Sequence, residues 1–325
     1  MKKKFTLGRE TSLLGFIVLL SVLIGIRNHN FLTIKNMLDV CNDASIMLIC
    51  AIGMLMVIVT GGIDLSIGAT LGLSGMVCAL VVKNCPGLPI YVIVLAGLAT
   101  GLCVGSINGL LIAKCHVIPI MATLGTMYIC RALIYFVSGG KWVNTYELTP
   151  EFINFSGTKI FGVSVLIIIA ILVFFAFGYF LKYKRVGREI YAVGSNVRAA
   201  SISGIKVERI LFLVYALEGT LGGLGGMLWT SRYSFASFET GKGYEMSVIA
   251  ACVLGGVAVT GGTGRITGVL LGTLLIGIIN AALPMIQVSS FAKETIEGGI
   301  ILIAVIVNVL MVRRSRRKAL QERHI

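Results

Sequence analysis

The 325-residue sequence predicts an all-α, polytopic integral membrane protein, a single transmembrane domain over residues 1–325 with about ten spanning helices and both termini in the cytoplasm. Three observations lead there. The chain is 57% hydrophobic and 13% charged with mean hydropathy +0.95, whereas a soluble domain carries about 25% charged residues. Apolar runs of bilayer length recur from end to end, separated by short polar pieces. Lys and Arg collect in a few places: the N-terminal Lys2, Lys3 and Lys4, residues 182–209, and the tail at 313–318. Cytoplasmic loops carry such an excess, so the +14 net charge reports topology and not nucleic-acid binding.

The elements follow in order. Residues 13–26 read as an uncleaved first span, and 27–43, mixed in polarity, as an outer interfacial segment. Span 45–60 returns inward, Gly61-Gly62 breaks it, and 65–82 goes out. Cys85-Pro86-Gly87 makes an external turn, 90–113 comes in, Lys114 to His116 turns inside, and 117–137 goes out. Residues 138–162 form an external loop, 163–181 returns, and 210–229 follows the basic segment outward. After an external piece at 231–243, span 244–259 enters, 266–283 leaves, and 293–312 returns to the basic tail. Arg131, near the outer end of its span, is expected to snorkel.

Residues 182–209 are the long polar insertion. Lys182, Lys184, Arg185, Arg188, Arg198, Lys206 and Arg209 stand there against Glu189 and Glu208. Asn196 is a natural N-cap, VRAASIS (197–203) reads as about two helical turns, and Gly204 can take a left-handed C-terminal position. The plain reading is a solvated connector, but its length favours a surface for a partner.

Glycine says how the helices meet. Gly97, Gly101, Gly105 and Gly109 recur every four residues, and Gly68/Gly72 and Gly268/Gly272 repeat the theme, as close packing in lipid requires. An internal echo relates VIVTGGIDLSIGATLG (57–72) to VAVTGGTGRITGVLLG (257–272), each at an inward-to-outward reversal.

Few residues offer chemistry. Asp64, Asn108, Glu218 and Asn280 are polar groups inside apolar stretches, candidates for a translocation pathway or gate. Asp64 also suits a helix cap, and the asparagines suit helix-to-helix ties. Enzyme readings fail: His29, His116 and His324 are scattered, no catalytic or metal-ligand motif occurs, and the eight cysteines lack pairing spacing. No catalytic residue and no metal site is assigned. No Gly-Lys-Ser/Thr occurs, so ATP hydrolysis by a P-loop would need another subunit. An ion-coupled secondary transporter using Asp64 or Glu218 is the alternative.

Taken together, GGIDLSIG (61–68), IPIMATLG (118–125), GREIYAVGSN (187–196) with Ala199-Ala200 and Ser203-Gly204-Ile205, GKGYE (241–245), VLGG (253–256) and GGTGR (261–265) closely resemble the permease subunits of ribose-type bacterial ABC sugar importers, over essentially the whole chain. The resemblance implies a multi-pass protein of the bacterial cytoplasmic membrane that binds no cofactor itself. It implies a pore-forming dimer with a second permease copy, two cytoplasmic ATPase subunits that use ATP and Mg, and an extracytoplasmic sugar-binding protein. It places ATPase engagement on Gly187, Arg188, Tyr191, Gly194, Asn196, Ala199, Ala200 and Gly204. SGGKWV (138–143) looks like autoinducer-2 and rhamnose members, while VSSF (288–291) looks ribose-like, leaving the sugar open.

Overall fold

The computed structural model describes residues 9–285, together with 295, 298, 299 and 302. Apart from those four positions, the expected span 293–312, the tail 313–318 and the 288–291 stretch lie outside the described residues. Within them the order is α1 (Arg9–Arg27), α2 (Ile34–Val59), α3 (Ile67–Asn84), α4 (Ile90–Ala113), α5 (Pro119–Ser138), α6 (Pro150–Phe155), a short hairpin of β1 (Lys159–Ile160) and β2 (Val163–Ser164), α7 (Val165–Tyr183), α8 (Arg185–Ser195), α9 (Val197–Ile202), α10 (Val207–Tyr233), α11 (Tyr244–Leu254) and α12 (Ile266–Met285). Eight of these helices, α1–α5, α7, α10 and α12, are long and apolar enough to cross a membrane.

Local chemistry sets the ends. Pro119 opens α5, where its missing N–H costs nothing, and Gly139 closes it at φ 59°. Ser164 accepts from the Ile167 amide at the start of α7, 3.4 Å away. Asn196 accepts from the Ala199 amide at 3.0 Å to start α9, and Gly204 follows it at φ 82°, both as the sequence predicts.

Three segments differ from expectation. α2 begins at Ile34 and not at 45, because the polar residues of its first turns find partners within the protein. Asp39 and Asp43 pair with Arg232 of α10 at 2.9 and 3.4 Å, and Asn42 accepts from Ser164 at 2.5 Å. α11 stops at Leu254, before Gly255-Gly256, and its 11 residues reach about 16 Å, half a hydrocarbon layer. The 231–243 piece folds back into the protein: Ala236, Ser237 and Thr240 are buried, and Arg131 donates to the Thr240 carbonyl at 2.6 Å in place of snorkelling.

The core forms around α10, which packs along α4, α3 and α2. Gly97, Gly101 and Gly105 of α4 face Tyr215, Gly219 and Gly223 of α10 with backbone against backbone. A Cβ at Gly101 would overlap the Gly219 carbonyl and come within 2.7 Å of the Gly223 Cα. Ser74 of α3 fastens the pair, donating to Gly223 O (2.7 Å) and within reach of Gly97 O (3.2 Å). Backbone cannot rotate aside as a side chain can. Gly101→Ala is therefore expected to cost about 1–3 kcal/mol, read as a lower thermal midpoint of the purified protein in detergent. Gly125→Ala in α5, where nothing lies within 4 Å, is expected to leave the midpoint unchanged.

Candidate functional site

Two polar assemblies stand out, one in the 182–209 segment and one in the interior. The first is α8, whose inner face buries Gly187, Ile190 and Val193. Gly187 lies on the backbone of α7, with Leu181 O 2.6 Å from where its Cβ would be. Gly194 abuts the Val59 carbonyl at the end of α2, with the Gly262 amide 2.8 Å from where its own Cβ would stand. The Gly262 amide donates to that same Val59 carbonyl at 2.8 Å. Tyr191 donates to Gly264 O at 2.9 Å, and burial lifts its phenol above the ordinary range, which keeps it a donor. α8 thus rests on both halves of the internal echo at once. Gly61 and Gly261 each take φ 84°, the same left-handed turn in the two copies.

The outer face of α8 is charged. Arg185 pairs with Glu189 at 2.7 Å, and Arg188 donates to Tyr183 O at 3.0 Å. Beyond it α9 stands proud: only Ala200 is buried, while Val197 and Ile202 are 52% and 88% exposed. Of the predicted coupling residues, Gly187, Tyr191, Gly194 and Ala200 therefore face the protein, and Arg188, Asn196, Ala199 and Gly204 face solvent.

The second assembly lies where α2 breaks. Asp64 accepts from the Ser66 amide and hydroxyl, each at 2.6 Å, turning the chain into α3. Asn108 of α4 donates to Asp64 (3.3 Å) and Ser66 (2.9 Å), and Thr123 of α5 accepts from the Leu65 amide at 3.1 Å. The Glu218 carboxyl of α10 stands beside that of Asp64. Asp64, Asn108 and Glu218 are all 0–1% exposed. Two carboxyl groups in contact and away from any cation do not both ionise, so the pair holds a proton between them. Asp64 already accepts from Ser66 and Asn108, which makes Glu218 the donor.

Asn280 sits apart on α12, half-buried, its Oδ1 without a partner among the described residues. Sequence reading missed Tyr215, whose ring is wholly buried and whose hydroxyl lies against Gly62. Its place one turn before Glu218 was the available signal. Among the described residues no group of three or more His, Cys, Asp or Glu could hold a metal ion. All eight cysteines are free thiols, and Cys50, Cys78, Cys130 and Cys252 are buried.

The motifs of the sequence thus meet in space. GGIDLSIG is braced by Thr123 of IPIMATLG, and its Gly68 lies against Gly241 and Glu245 of GKGYE. A family model described as the permease component of a branched-chain amino acid transport system matches residues 36–307. The chain belongs to that permease family. The permease is 38% identical over 309 residues to the ribose import permease protein of Escherichia coli strain K12, covering 94% of this chain and 95% of that one. It is 40% identical to the ribose import permease protein of Bacillus subtilis strain 168, covering 91% of each chain. It is 32% identical to the autoinducer 2 import system permease protein of Escherichia coli O9:H4, covering 92% of this chain and 86% of that one. No solved structure matches the permease. It is a membrane-spanning transport subunit and not an enzyme.

The shared proton is testable. Glu218→Gln keeps a donor toward Asp64 and is expected to stay within about 1 kcal/mol of the parent in thermal unfolding. Glu218→Ala leaves Asp64 buried beside a void and is expected to lose about 3 kcal/mol or more. A Gln variant as damaged as the Ala variant would refute the assignment.

Proposed function

We propose that the permease, paired with a second permease copy in the bacterial cytoplasmic membrane, forms the pathway of an ATP-driven importer for a ribose-type pentose. An extracytoplasmic sugar-binding protein delivers the sugar to the loops at 138–162 and 231–243. Two separate ATPase subunits, using ATP and Mg, engage the cytoplasmic face. The observation that carries this reading is the α8–α9 pair. A helix seated on both breaks, followed by a short helix offering Val197 and Ile202 to solvent, suits a lever gripped from outside. Exposed aliphatic side chains on a projecting helix are suited to contact with a partner. Closure of the ATPase pair then pushes α9, α8 passes the push to Val59 and Gly262, and the halves rock. Asp64, Asn108 and Glu218 serve the gate from behind, holding the broken start of α3, and Asn280 serves the pathway from α12.

The sugar class is supported by the ribose import relatives, with identity spread over nearly the whole chain. A second reading, autoinducer-2-type cargo, is favoured by the outer aromatic group. There Trp142 of the 138–143 motif meets Phe235 and Phe238 at 6.5 and 6.1 Å between ring centroids.

Proteoliposomes holding the permease with an ATPase and a sugar-binding protein of a ribose importer provide the test. ATP-dependent uptake of labelled ribose is expected, and uptake of autoinducer-2 alone would select the second reading. Ile202→Asp is expected to lower stimulated ATP hydrolysis about ten-fold while leaving binding-protein docking intact. Accumulation in liposomes that contain the permease alone would overturn the proposal in favour of ion coupling.

A further inference from the structure

A cavity of about 770 Å³ opens on the cytoplasmic side, between the last turn of α4, the first turn of α10 and the 203–206 connection between α9 and α10. Its walls are apolar where Leu110, Ile205 and Phe212 line it. Lys114, Lys206 and Arg209 line it too, with Glu208 the acid among them. The three cations come from separate positions, the C-cap of α4, the N-cap of α10 and the first turn of α10. None of them lies within 4.0 Å of a carboxylate among the described residues. α10 also begins without a side-chain cap, so the positive end of a 27-residue helix adds to the same field.

Depth identifies the occupant. With the 182–209 segment on the cytoplasmic side, as proposed above, the end of α4 and the start of α10 come at the headgroup level of that leaflet, and Leu110 and Phe212, one turn further into their helices, at the level of acyl chains. We propose that this cavity binds an anionic phospholipid of the cytoplasmic leaflet, its phosphate held by Lys114, Lys206 and Arg209 and its first acyl carbons lying on Leu110 and Phe212. A volume of this size accommodates such a headgroup. Cations above and hydrocarbon below match a phospholipid, and basic pockets between spans on this side of a membrane select anionic headgroups. The bound lipid bridges α4 to the connection that carries α9. It would brace the end of the lever from the side, while the outward faces of Val197 and Ile202 stay clear.

The test is native mass spectrometry of the full-length permease titrated with phosphatidylglycerol or with phosphatidylcholine of the same acyl chains. Retention of phosphatidylglycerol over phosphatidylcholine is expected. Lys114→Gln alone is expected to weaken it about five-fold, and Lys114→Gln with Arg209→Gln about 25-fold, one five-fold step per cation. The charge-matched double variant Lys182→Gln with Lys184→Gln, on exposed residues away from the cavity, is expected to change it less than two-fold. Equal retention of the two lipids, or equal losses in the two double variants, would overturn the proposal. Displacement by inorganic phosphate would make the cavity a soluble-anion site. Crosslinking of position 206 to the ATPase in the assembled importer, unaffected by phosphatidylglycerol, would make it a protein interface. Either outcome refutes a lipid site.

Discussion

Hydrocarbon offers no hydrogen bonds, so wherever a chain leaves helix at membrane depth its backbone has to be satisfied from within the protein. The permease leaves helix at 60–66 and at 255–265, where the chain reverses beneath α8, and there too the two breaks help to satisfy one another. Val59, the last residue of α2, gives its carbonyl to the Gly262 amide. Leu65 and Ser66 give their amides to Thr123 and Asp64. Ala258 donates to Thr263 O across the second break, closing that turn on itself. The breaks are therefore fixed points and not loose loops. Asp64, Thr123, Asn108 and the shared proton with Glu218 all follow from the need to hold them.

The same fixity makes a lever possible. A push delivered on α9 is lost if α8 slides over the spans beneath it. Gly187 and Gly194 prevent that by bringing backbone onto backbone at both ends of α8, and Tyr191 adds a hydrogen bond between them. Because α8 contacts the end of α2 and the 261–264 turn together, a displacement reaches both helix pairs in phase. In the proposed mechanism the glycine seam between α4 and α10 would carry it onward, since their backbones lie in direct contact.

Much of this was legible in the sequence where one residue decides one local event. Asn196 and Gly204 bound α9 as their chemistry dictates, and the four-residue glycine rhythm of α4 marks the seam. The polar start of α2 was not legible. Asp39 and Asp43 look interfacial until Arg232, almost two hundred residues away, is known to meet them. α11 was misjudged in length for a related reason: an apolar run cannot show whether its end is helix in lipid or loop sheltered by protein. The second case holds here, with Val257 buried beyond Gly256. Asp64 and Glu218 were each visible as intramembrane acids. Their contact depends on how α10 crosses α2 and α3, which no single stretch of sequence encodes.

That contact bears on what drives transport. A carboxylate that couples an ion gradient to movement must reach water from each side of the membrane in turn. Asp64 and Glu218 meet this requirement poorly. Glu218 lies against Gly53 of α2, Tyr215 closes over Gly62, and Asn108 and Ser66 occupy the Asp64 oxygens. To reach either surface the proton between them would have to pass through packed helices that glycine has drawn to backbone contact. A proton held so closely neutralises charge that the interior cannot otherwise tolerate, and it fastens α10 to the break. With the acids committed to structure, the energy for movement has to enter elsewhere, which is the ground for proposing the α8–α9 pair as the place where it enters.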